Sequence, residues 1–90
     1  MGQRRGYPRL KLPRDLSGTE LATLLRRYGY EVTRQSGSHL RLTSSAKGRT
    51  HHVTIPRHKV LKVGVLSAIL ADVALYLEKD RPTLTEEIFG

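Results

Sequence analysis

Ninety residues make one domain with room for one small core. The chain has no cysteine, which excludes a disulfide framework and a thiolate zinc site, and no apolar run approaches membrane-spanning length. The formal net charge of +8 excludes very little by itself, but its distribution is polarised. Between Arg26 and Lys62 there are nine lysines and arginines against one acid, Glu31, whereas Asp72 to Gly90 holds five acids and two bases. A cationic middle segment of this kind points to a polyanionic partner, with nucleic acid favoured over a merely solvated cationic surface.

Residues 1–14 contain Gly2, Gly6, Pro8 and Pro13 among five basic residues, with no visible period. They read as a basic flexible arm, and they lack the apolar stretch of a secretory signal. No membrane association is expected, and the chain reads as cytoplasmic. The domain proper spans 15–79, and 80–90 reads as a C-terminal tail.

The first helix opens at "SGTE". Ser17 is placed to cap it, Glu20 three residues on completes a capping box, and Leu16 is placed to staple onto Leu21. Leu21, Leu24, Leu25 and Tyr28 fall on one face, and Gly29 ends the helix. Three short strands follow. Residues 30–35 put Tyr30 and Val32 on one side. Residues 39–43 alternate Leu40 and Leu42 against His39, Arg41 and Thr43. Residues 50–55 alternate His51, Val53 and Ile55 against His52 and Thr54, and Pro56 stops them. The short links predict antiparallel hairpins.

A second helix starts near Val63 or Gly64 and buries Leu66, Ile69, Leu70, Val73 and Leu77. Pro82 prevents a simple continuation, and Thr85 is placed to cap a further short helix. The order αβββα predicts an α+β domain: a three-stranded antiparallel sheet with two helices on one face. The other face then displays His39, Arg41, Thr43, His52 and Thr54.

His39 is the residue whose chemistry stands out. An imidazole exchanges protons near neutral pH, and RNA carries its own nucleophile in the 2′-hydroxyl. A base beside that hydroxyl, with cations at the phosphate, suffices for cleavage without a metal. Arg34, Arg41 and Lys59 are candidate cations. Gly37 and Ser38 let the backbone approach a phosphate, and Ser38 adds a hydroxyl. The alternative is an ordinary exposed strand histidine. His51 and His52 point to opposite faces, so they do not share one metal, and no carboxylate accompanies His39, His52 and His58. His51 shares parity with Val53 and reads as a rim or partly buried residue. Asp72 reads as lying at the edge of the second helix's stripe, and no carboxylate pair is placed for acid–base work. No cofactor is expected.

The segments "LLRRYGYE", "RQSGSHLRL" and "VTIPRHKVLKVGVLSAIL" together resemble the HicA (YcfA-like) mRNA interferase toxins of toxin–antitoxin systems, over roughly Asp15 to Leu77. The Gly-Ser-His signature, Pro-x-His, Leu-Lys-x-Gly and Leu-x-x-Ile-Leu occur in the family's order. Where many members carry Gly-Thr-Leu at the second helix start, this chain has Gly64-Val65-Leu66. The resemblance implies a double-stranded-RNA-binding-domain-like fold and metal-independent mRNA cleavage with His39 as the catalytic histidine. It also implies a HicB antitoxin that covers the active face. Arg34, Gly37, Ser38, Arg41, Lys59 and Lys62 are the expected RNA contacts, with His52 as an auxiliary group. The competing readings are a non-catalytic RNA-binding module of the same fold and a protein whose basic face serves only an acidic partner.

Overall fold

A computed structural model describes residues 12–90. The expected basic arm lies almost entirely outside them, although Leu12 packs against the core. Helix α1 (Gly18–Leu25) begins with the expected capping box: the Glu20 amide donates to Ser17 Oγ at 3.0 Å, and the Ser17 amide donates to Glu20 Oε1 at 2.8 Å. The predicted single helix becomes α1 followed by a 3-10 turn over Arg26–Tyr28. Gly29, at φ 85°, closes it in the left-handed region, which carries no steric penalty for glycine.

The strands are β1 (Glu31–Ser36), β2 (His39–Ser44) and β3 (His51–Pro56), each within one residue of expectation. They form one antiparallel sheet in the order β1-β2-β3. Leu40, Leu42, Val53 and Ile55 are buried beneath α1 and α2 (Val63–Leu77) together with Leu21, Leu25, Leu66, Leu70 and Val73. The α+β architecture is that of a double-stranded-RNA-binding domain.

β1 departs from its expected packing. Tyr30 is fully buried, but Val32 is 48 % exposed although it pairs with buried Leu42. Val32 lies in an open groove between α1 and the sheet, and the register shifts between Val32 and Arg34, as at a β-bulge.

The C-terminal tail is also more ordered than expected. It forms α3 (Arg81–Phe89), capped by Asp80 rather than Thr85. Asp80 accepts from both the amide and the hydroxyl of Thr83. Those bonds, the side-chain one foremost, hold its carboxyl below its ordinary range. Pro82 falls in the first turn, where its missing N–H costs nothing, so the residue read as a barrier is compatible with a helix start. Thr85 lies inside the helix and donates to the Arg81 carbonyl at 2.8 Å. Leu84 enters the core, and Glu87 binds Tyr28 Oη at 2.7 Å and Lys79 Nζ at 3.0 Å.

Candidate nucleic-acid interface

The hairpin between β1 and β2 has a two-residue turn, Gly37-Ser38. Gly37 has φ 55°, which is why glycine suits the first turn position. His39 closes the turn opposite Ser36 on β1, and Pro56 lies opposite on β3. The Arg57 amide donates to the Ser38 carbonyl at 2.6 Å, fixing the turn to the segment that leaves β3. That segment is pinned twice more: Gly18 N donates to His58 O at 3.0 Å and Leu61 N to Leu16 O at 2.7 Å. At Gly18 a Cβ would run into the Pro56 carbonyl oxygen, so this contact between α1 and β3 requires glycine.

Strand pairing sorts the open face into rows. Ser36, His39 and Pro56 make the first, and Arg34, Arg41 and Thr54 the second. Thr43 and His52 make the third, with Glu31 opposite Thr43 on β1. Successive rows lie about 7 Å apart along the strands. The His39 side chain is exposed, and its ring makes no hydrogen bond or ion pair to any described residue. Arg34 and Arg41 face each other directly, an arrangement of like charges that costs stability. Neither has a carboxylate partner among the described residues. Two facing guanidiniums one row from the His39 imidazole concentrate positive charge at this end of the open face.

His52 stands two rows from His39, about 13 Å along the sheet. Its Nδ1 lies 2.8 Å from Thr43 Oγ1, which lies 2.7 Å from Thr33 Oγ1, and Thr33 Oγ1 donates to the Arg41 carbonyl at 3.3 Å. Using each hydrogen once fixes the direction: Nδ1–H donates to Thr43, Thr43 to Thr33, and Thr33 to the carbonyl. The neutral ring therefore keeps its Nε2 lone pair free. Lys59 and Lys62 are exposed, in the segment before α2 and at its cap.

His51 has the opposite environment. Its Nδ1 lies 2.7 Å from Tyr30 Oη and its Nε2 3.2 Å from Asp72 Oδ1; with Nε2–H given to the carboxylate, Nδ1 of the neutral ring accepts from the phenol. It stacks on Tyr76 at 4.7 Å between ring centroids. Burial holds the Tyr30 hydroxyl well above its ordinary range. This chain of groups went unread in the sequence because Asp72 is distant along the chain. The parity of His51 with Val53 was the available signal. Ser36 was missed because the expected strand stopped one residue earlier.

A family model described as the HicA toxin of bacterial toxin–antitoxin systems matches residues 18–75. The chain belongs to the HicA toxin family. HicA toxins are ribonucleases, and membership implies an antitoxin partner and an RNA substrate. The HicA match contains all three rows of the open face and leaves α3 outside it. No curated protein and no solved structure matches the chain. No helix among the described residues is long and apolar enough to cross a membrane.

Proposed function

We propose that this HicA-family protein is an mRNA-cleaving endoribonuclease that works without a metal, with His39 as its catalytic residue. The observation that carries the reading is the free imidazole of His39 one row from the facing Arg34 and Arg41. His39 takes the proton of the ribose 2′-hydroxyl, the 2′-oxygen bonds to phosphorus, and the bond to the 5′-oxygen breaks. The products are a 2′,3′-cyclic phosphate and a 5′-hydroxyl, whose proton comes from water or from the imidazolium formed in the first step.

Arg34 and Arg41 neutralise the crowded phosphate. Gly37 and Ser38 give it a close approach, and Lys59 and Lys62 hold the flanking backbone. His52 is too far from His39 to act on the same phosphodiester, so its role is to contact a neighbouring nucleotide. A HicB-like antitoxin covers this face and silences it in the cytoplasm.

Labelled RNA incubated with purified protein in EDTA tests the proposal. Fragments with cyclic phosphate ends, absent with His39→Ala, are expected. Bound but intact RNA would instead favour the non-catalytic RNA-binding module that the fold also suits.

A further inference from the structure

On the side of the sheet opposite His39, between α1 and β1, a groove of about 300 Å³ opens to solvent. Val32 supplies its exposed apolar surface over the buried Ala22 and Leu40, and Thr19, Thr23 and Gln35 supply polar groups. Arg26 and Arg57 line it, no acid does, and neither arginine has an ion-pair partner among the described residues. Nearby Glu20 is committed to capping α1. A half-exposed valine on a core-side position beside two uncompensated guanidiniums is a poor solvent surface but a good socket for an apolar side chain flanked by carboxylates.

We propose that this groove docks a short acidic, apolar segment of a protein partner, separately from the RNA-binding face. The chain's own basic N-terminal residues, Arg4, Arg5, Arg9 and Lys11, have the wrong charge to occupy it. RNA offers no aliphatic side chain for the Val32 surface, which argues for protein. The inference goes beyond the proposed nuclease chemistry and does not depend on it: a partner attached here leaves the face that carries His39 open.

The test is amide chemical-shift mapping on the full chain, with an end-capped peptide of alternating aspartate and leucine as probe. Shifts should cluster at Ala22, Thr23, Arg26, Val32, Gln35 and Arg57, and spare Thr43, His52 and Thr54. Arg26→Glu should weaken binding roughly tenfold, Val32→Ser should weaken it less, and His39→Ala should leave it unchanged. The same peptide with lysine for aspartate should not bind. Absence of shifts at the groove overturns the proposal. Equal shifts with the lysine peptide or with a uridine oligonucleotide overturn it too, as do shifts that track protein concentration without peptide. Because the readout is binding, a failed cleavage assay would leave this result standing, and the reverse holds as well.

Discussion

His39 and His51 belong to the same sheet and have opposite surroundings. His51 points toward the core side, where a phenol, a carboxylate and an aromatic ring occupy both nitrogens and one face. His39 stands at a hairpin mouth on the other side with no described partner and two arginines one row away. A fully partnered imidazole contributes to the fold. An unpartnered one beside uncompensated positive charge is available to a substrate.

The largest expected effect is on His39. His39→Ala should lower RNA cleavage by about 10²–10⁴-fold, the usual contribution of a general acid–base group. Its melting temperature should barely move, since an exposed side chain with no partner is removed. Cleavage at the wild-type rate would erase the contrast between the two histidines. His51→Ala should do the converse. It leaves the buried Tyr30 hydroxyl without its acceptor, at a cost of about 1–3 kcal/mol in denaturant unfolding. RNA cleavage per folded molecule should be unchanged.

Arg34→Ala and Arg41→Ala test the cations that distinguish the two sites. Each should weaken RNA binding and reduce the slope of log affinity against log salt by about one. Because the two guanidiniums face each other, either substitution should leave the fold as stable or slightly more so. A stability loss with unchanged binding would make them structural.

The smallest effect concerns the clamp between α3 and the 3-10 turn. Bonds from Tyr28 and then Lys79 hold the Glu87 carboxyl below its ordinary range. The stability this supplies is present above the unfolded carboxylate pKa and is lost as pH falls through the lower folded value. Burial, reinforced by the Glu87 bond, pushes Tyr28 up to about 12 from 10.0, so its contribution is present below pH 10 and lost between pH 10 and 12. Melting curves against pH should show both arms in the wild type. Glu87→Gln should flatten the acid arm, and Tyr28→Phe the alkaline one.

The sheet and its exposed face were legible because a two-residue period needs no distant information. Leu40, Leu42, Val53 and Ile55 declare one face, and their neighbours the other. The Ser17 cap was equally readable, since both partners lie within one turn. Less legible were features set by tertiary contact. Val32 reads as lying on the same side as Tyr30, but its half-exposure follows from a groove between α1 and β1 that only the folded chain shows. Asp72 reads only as an acid at the edge of the α2 stripe until folding brings it to His51. At α3 Pro82 does bar a continuation of α2, which ends at Leu77, but the cap of the new helix is Asp80, with Pro82 in its first turn, and not Thr85. The free state of His39 was only half visible. Its facing followed from parity, but the absence of a nearby carboxylate required all three rows.

Helix α3 lies beyond the residues shared with the HicA family, yet it inserts Leu84 into the core and grips Tyr28 through Glu87. A shortened gene ending at the family boundary would therefore yield a polypeptide with an unfilled hydrophobic notch and a stranded phenol. Anyone engineering the chain should attach fluorophores or affinity handles elsewhere than at this helix.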